Sequence, residues 1–265
     1  MNPERRPLIA GNWKMHHGGA TGLGLAIDCT HFAQRVPHVD LVVAPPFTVL
    51  AACSHECEGK RVAIAGQNLH PKDKGAFTGE ISGPMLVESG CTWVIVGHSE
   101  RRQLFGETDA TVAEKTAAAL ESGLLPIVCV GETLAERESG ETLAVVGRQL
   151  RAFLDVIAQG SSSSGPQQRA VAIAYEPVWA IGTGKNAGPG EAEEVHAAIR
   201  RWLAEKSPEL SQRTRVLYGG SVKPDNARAL FACPNVDGAL IGGASLDAAS
   251  FGAIAEAAES LAVAG

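Results

Sequence analysis

The sequence predicts a single closed (β/α)8 barrel, and three observations carry that prediction. Eight short runs rich in Val, Ile, Leu and Ala recur along the 265 residues, each bounded by Gly, Pro or polar residues. Amphipathic, helix-like stretches separate them. The runs are apolar on both faces, as strands are when a parallel sheet is covered by helices. Eight such units in about 250 residues match the size of a closed barrel better than an open sheet. No G-x-G-x-x-G follows the first run, which argues against a dinucleotide-binding fold.

In chain order, residues 1–6 form a short polar tail and Leu8–Trp13 reads as the first strand. Val39–Ala44 is the second, stopped by Pro45 and Pro46, which cannot donate to a ladder. Val62–Ala65 and Trp93–Gly97 follow, then a helix over Glu107–Ser122 and the fifth strand, Leu125–Val130. A helix over Thr142–Ala158 leads into a Ser-rich patch at 160–166, the one low-complexity segment. Lying between a helix and the next strand, that patch belongs on the face of a barrel away from the chemistry and reads as a flexible insert. Ala170–Tyr175 is the sixth strand, ended by Pro177. The helix Glu191–Lys206, the strand Arg215–Tyr218, the helix Pro224–Phe231 and the strand Gly238–Gly242 complete the eight units. The whole chain, 1–265, therefore reads as one domain.

A net charge of −6 argues against a general nucleic-acid surface, while a small anionic substrate would need a local cationic site. The longest apolar region, Leu41–Cys53, is broken by two prolines and is too short to span a membrane. No secretory signal is legible at residues 1–6. Six cysteines are scattered without a C-x-x-C pair, so reduced thiols in a cytoplasmic protein are expected. Cys53, His55 and Cys57 lack a second cluster at metal-ligand spacing, and no metal site is expected there.

Barrels place chemistry just after their strands. Asn12 and Lys14 follow the first strand, His98 and Glu100 the fourth, and Glu176 the sixth. The seventh and eighth end in Tyr218-Gly219-Gly220-Ser221 and Ile241-Gly242-Gly243. Taken singly, each has an ordinary explanation: Lys14 as a solvated lysine, His98 as a core histidine, Glu176 as a strand end before a Gly turn. Together on one rim they form a coherent set. Glycine pairs opening helices present N–H groups to phosphate, Lys14 adds a cation, Glu176 can act as a base and His98 as a hydrogen-bond donor. That combination suits proton transfer α to a carbonyl in a phosphorylated sugar.

Over nearly its whole length the chain resembles the triosephosphate isomerase family. The resemblance rests on Ala10-Gly11-Asn12-Trp13-Lys14-Met15, Gly75-Ala76-Phe77-Thr78-Gly79-Glu80, Gly97-His98-Ser99-Glu100-Arg101-Arg102 and Cys129-Val130-Gly131-Glu132-Thr133. It rests also on Tyr175-Glu176-Pro177-Val178-Trp179-Ala180-Ile181-Gly182-Thr183-Gly184-Lys185 and Tyr218-Gly219-Gly220-Ser221-Val222. It implies an aldose–ketose isomerase of triose phosphates in glycolysis and gluconeogenesis, with Glu176 as base and His98 as neutral electrophile. A carboxylate, a neutral imidazole and a closing loop are this family's own known arrangement, carried over with the resemblance. Lys14 and Asn12 correspond to residues that hold substrate and stabilise enediolate oxygens, and Glu100 to a carboxylate beside Lys14. Phosphate is expected at the backbone N–H groups of Gly182, Ser221, Gly242 and Gly243. Ile181 and Leu240 are expected to press on Glu176 when the loop closes. Trp179 and Glu132 would lock that loop, with Tyr218 and Ser221 bonding its closed form. No cofactor or metal is implied, because the substrate carbonyl is the electron sink.

The resemblance further implies a homodimer in which the Gly75–Glu80 loop enters the neighbour and Thr78 braces its Asn12 and His98. Departures from the family pattern are Asn186 in the loop's second hinge, His16-His17-Gly18-Gly19 near the expected interface, and the Ser-rich insert. Two rivals share these residues: an isomerase of a longer phosphorylated ketose, such as a tetrulose phosphate, and an inactive sugar-phosphate-binding homologue. The complete 180–185 loop favours the three-carbon substrate, and the intact set Asn12, Lys14, His98 and Glu176 favours an active enzyme.

Overall fold

The computed structural model describes residues 5–160, 171–180 and 187–263. Eight parallel strands close on themselves in sequence order: β1 (Leu8–Asn12), β2 (Asp40–Ala44), β3 (Val62–Gly66), β4 (Trp93–Val96), β5 (Leu125–Val130), β6 (Ala172–Tyr175), β7 (Arg215–Tyr218) and β8 (Gly238–Ile241). The register runs Leu8 opposite Asp40 through Asn12 opposite Ala44. The seam is sealed by Leu8 opposite Gly238 and Gly11 opposite Ile241.

Gly238 is required at that seam. Its φ is 142°, and a Cβ there would lie 1.9 Å from the carbonyl oxygen of Leu8, so only glycine lets β8 begin against β1.

Strand alternation divides the apolar residues into two cores. Leu8, Ala10, Val42, Ile95, Ile127, Cys129, Ala172, Ala174, Leu217 and Leu240 fill the barrel. Ile9, Val43, Val94, Val96, Val128, Ile173 and Val216 point outward against the helices. The interior set is rich in alanine, which suits a narrow lumen, while β-branched residues dominate the outer face.

The helices begin where sequence chemistry starts them. Ser82 accepts from the Met85 N–H, and Thr108 and Thr111 cap each other reciprocally. Proline occupies the first turn of helices Pro189–Lys206, Pro208–Arg213 and Pro224–Phe231.

The expected strands match those observed to within one or two residues at each end. The expected helices fall at Asp109–Glu121, Thr142–Gly160, Pro189–Lys206 and Pro224–Phe231. Ala20–Ala33 and Ala248–Ala262 are helices as well, although each is apolar nearly all round and so carries little helical periodicity. The Ser-rich insert lies outside the described residues apart from its first glycine.

Candidate active site

A cavity of about 770 Å³ opens at the C-terminal ends of the strands. Asn12, Lys14, His98, Glu176, Ser221, Leu240, Gly242 and Gly243 all line it, having come from β1, β4, β6, β7 and β8. Asn12, Ala174 and Leu240 share the inward parity of their strands, which carries the chemistry to the mouth of the packed lumen.

Lys14 is held in an unusual backbone conformation. Its φ of 51° lies in the left-handed region that non-glycine residues rarely enter. Two side chains fix it there: its N–H donates to Asn12 Oδ1 at 3.0 Å, and its carbonyl accepts from Gln67 Nε2 at 2.7 Å. Gln67 Nε2 also donates to the Ala44 carbonyl at 2.8 Å. Backbone strain of order 1–3 kcal/mol is sustained when surroundings over-determine it, as here. The result aims the ammonium across the cavity, where Nζ meets Glu100 Oε1 at 2.5 Å.

His98 and Glu176 form the centre. Gly97, at φ 69°, turns the chain sharply after β4, and a Cβ there would press into Val112. His98 then caps the short helix Ser99–Leu104, its Nδ1 accepting the Glu100 N–H at 3.2 Å. A nitrogen that accepts carries no proton. The imidazole is therefore neutral with its hydrogen on Nε2, the tautomer the hydrogen-bond network assigns. That Nε2 points at Glu176 Oε1, 3.0 Å away.

Glu176 is almost wholly buried, at 2% exposure. Its carboxylate accepts from the Ser99 N–H at 2.9 Å and the Ser99 hydroxyl at 3.0 Å, besides His98. Gly219 lies against it, and a Cβ there would come within 2.7 Å of Glu176 Cγ. Cys129, buried beneath the carboxylate, has its thiol pushed well above the usual range by burial and then by the Glu176 charge, so it is an inert wall.

Glu132 stands apart from this cavity. It is fully buried, and its Oε1 accepts from Trp179 Nε1 at 2.9 Å, Tyr175 OH at 3.1 Å and Thr142 Oγ1 at 3.4 Å. The cluster anchors the chain just before the 181–186 segment. Burial and then the nearby Glu132 charge raise the Tyr175 phenol far above its ordinary value. The Tyr218 hydroxyl reaches the Ala187 carbonyl at 3.5 Å, and burial pushes its pKa up to about 12. Thr78 is exposed on the 75–80 loop, away from the cavity of its own chain. Ile181 and Gly182 lie outside the described residues.

Three residues with a clear place in the site were assigned no role in the sequence reading. Ser99 stands in a motif quoted for its neighbours, and Gln67 follows directly after β3, where attention to strand ends would have found it. His16 lines the cavity too, but a tandem histidine after Lys14 carries no spacing signal. Among the described residues no cluster of His, Cys, Asp or Glu is arranged to hold a metal ion.

Comparison with known proteins gives a uniform answer. The family model described as triosephosphate isomerase matches residues 7–258. A triosephosphate isomerase of Moorella thermoacetica is 54% identical over 250 residues, covering 94% of this chain and 98% of that one. One from Symbiobacterium thermophilum is 50% identical over 256 residues, covering 96% and 97%. The crystal structure of triosephosphate isomerase from Bartonella henselae superposes with a TM-score of 0.84 at 40% identity, covering 95% and 98%. With the family model spanning all eight strands and relatives about 50% identical over most of their length, this chain belongs to the triosephosphate isomerase family.

Proposed function

We propose that this chain interconverts D-glyceraldehyde 3-phosphate and dihydroxyacetone phosphate, and that Glu176 moves the proton. The observation that carries the reading is the buried pair of Glu176 and neutral His98, 3.0 Å apart at the mouth of the barrel beside Lys14. Membership of the family supports the substrate.

In the described state the base is parked. Both Glu176 oxygens are taken by Ser99, and the His98 Nε2–H that must polarise a carbonyl is aimed at Glu176 instead. Substrate entering between them separates the pair. The carboxylate then faces the carbon that bears the hydroxyl, and Nε2–H faces oxygen. Glu176 removes a proton from that carbon, and the C–H pair becomes the C=C bond of an enediolate. The displaced carbonyl pair rests on oxygen, opposite His98 Nε2–H and the Lys14 ammonium. Return of the proton to the adjacent carbon, with proton exchange between the two oxygens, yields the isomer with no net change in atoms or electrons. Asn12 keeps Lys14 oriented. Phosphate is assigned to the backbone N–H groups of Ser221, Gly242 and Gly243, whose loops end β7 and β8. Ser221 and Leu240 line the same cavity. The assignments of Gly182 and Ile181, and of the loop they share, rest on the family alone.

A homodimer is part of this proposal. Gly75–Glu80 projects with most residues exposed, and Phe77 remains 43% exposed beside Met15 (94%) and Met85 (48%) elsewhere on the surface. Large apolar side chains left open in this way call for a partner surface. Thr78, exposed on its own chain, is assigned to brace a neighbour. Six free cysteines agree with a reducing, cytoplasmic setting, and among the described residues no helix is long and apolar enough to cross a membrane.

The test is Glu176→Gln, which keeps size and hydrogen-bonding capacity but removes the base. A kcat loss of about 10²–10⁴-fold, in a folded protein that still binds a triose-phosphate analogue, is expected. Retained turnover would assign the proton transfer elsewhere. Assay of a tetrulose phosphate beside the triose separates the longer-ketose reading, and absence of turnover on both would leave a binding protein.

A further inference from the structure

A second cavity, of about 980 Å³, opens at the opposite end of the barrel, around the N-terminal ends of β2, β3, β4, β5 and β7. Nothing in the isomerase reaction uses it. Its lining brings together Arg6, Arg61 and Arg215, with Lys60 and His55 at the margin.

Arg215 is the first residue of β7 and only 8% exposed. Its guanidinium sits 5.2 Å from the centre of the Trp93 ring and donates from Nη1 to Asp40 Oδ2 at 2.6 Å. The other oxygen of the same carboxylate takes Arg6 Nε, also at 2.6 Å. Arg6 Nη2 continues to the Pro37 carbonyl at 2.6 Å, and Arg61 Nη2 donates to that same oxygen. Three guanidinium groups are thus gathered around one carboxylate and one carbonyl.

Charge is left over. Asp40 balances one arginine of the three. The remaining carboxylates in the lining are Glu58, which lies 4.0 Å from His55, and Glu88. The whole lining sets Arg6, Lys60, Arg61 and Arg215 against Asp40, Glu58 and Glu88, a net charge of +1, while its core of three guanidiniums around one carboxylate carries +2, on a chain whose net charge is −6. A concave cluster of cations focuses positive potential and attracts an anion. Among the described residues Arg215 makes a single side-chain hydrogen bond, so further N–H donors of its planar fork are open to an acceptor.

We propose that this end of the barrel is a second anion site, separate from the catalytic cavity, that takes the phosphate group of a small phosphate-bearing anion. Arg61 and Arg6 grip it from the rim, with Arg215 beneath and the apolar face of Trp93 limiting water. A planar fork matches two phosphate oxygens, which an ammonium cannot do. Because the site ties the starts of β2 and β7 to the loop before β2, occupancy stabilises the folded chain.

The test is calorimetric titration of the full-length protein with orthophosphate at constant ionic strength, in wild type and in Arg61→Gln and Arg6→Gln. Arg61 is exposed, and its substitution leaves the Asp40–Arg215 pair intact. The expected result is two binding events per chain in wild type, with the second weakened about tenfold or more in each variant while the KM for triose phosphate is unchanged. The phosphate-dependent rise in Tm should shrink in parallel. A single event in wild type overturns the proposal, as does a second event that both variants retain at full strength. A merely structural arginine network would lower Tm in the variants without altering its response to phosphate.

Discussion

Lys14 shows how one residue ties strain, charge and chemistry together. Its left-handed backbone, fixed by Asn12 and Gln67, is the reason its ammonium crosses the cavity to Glu100. Lys14→Met should keep the barrel folded and lower kcat/KM by about 10²–10³-fold, the usual cost of one preorganised electrostatic partner. Wild-type activity in that variant would remove the cation from the account. Gln67→Leu tests the supporting contact separately. With the Lys14 carbonyl unheld, kcat should fall while a thermal melt records a loss of about 1 kcal/mol. At this scale the sequence was most readable where a residue type is unusual for its position, such as a carboxylate ending a buried strand. It was least readable for Ser99 and Gln67, whose roles depend on which backbone or carboxylate atom the fold brings opposite them.

Among the elements, the segment ending at Ala180 is anchored by Glu132, a buried carboxylate shared by Trp179, Tyr175 and Thr142. Trp179→Phe removes one charge-assisted hydrogen bond and leaves the other two donors. A stability loss of about 1.5–3 kcal/mol is expected in denaturant unfolding, with kcat and KM moving together as for a change at a loop hinge. A change in stability alone would limit Glu132 to a structural role. Strand order and the four amphipathic helices were legible because their periodicities differ. Ala20–Ala33 and Ala248–Ala262 were harder to read, since alanine and glycine are compatible with a buried strand and a buried helix alike. Closure itself was inferred from the number of units. It depends on Gly238, whose φ of 142° has no counterpart in hydrophobic pattern.

For the molecule as a whole, pH and concentration are the informative variables. His196 is fully buried between Tyr175 and Tyr218, and burial drives its pKa down to about 4. The unfolded chain takes up that proton near the ordinary value of about 6.5, and the folded one does not until about pH 4. Stability from this group is therefore complete above about pH 6.5 and is lost as pH falls toward 4, by about 3 kcal/mol at most. Melts of wild type and His196→Gln across that window should converge at the acid end, and parallel curves would exonerate His196. The proposed homodimer makes stability depend on protein concentration. Phe77→Glu should abolish that dependence and depress kcat, whereas an unchanged sedimentation profile would detach the 75–80 loop from assembly. Neither behaviour was legible in composition: the first needs the packing around His196, and the second entered only with the family resemblance.

The most direct test of the central claim is kcat/KM for D-glyceraldehyde 3-phosphate, followed by coupled reduction of the dihydroxyacetone phosphate formed. An isomerase of this family is expected near the diffusional ceiling of about 10⁸–10⁹ M⁻¹s⁻¹, a limit the family is already known to approach. A value several powers of ten lower, from folded and assembled protein, would contradict the assignment of triose phosphate as the substrate.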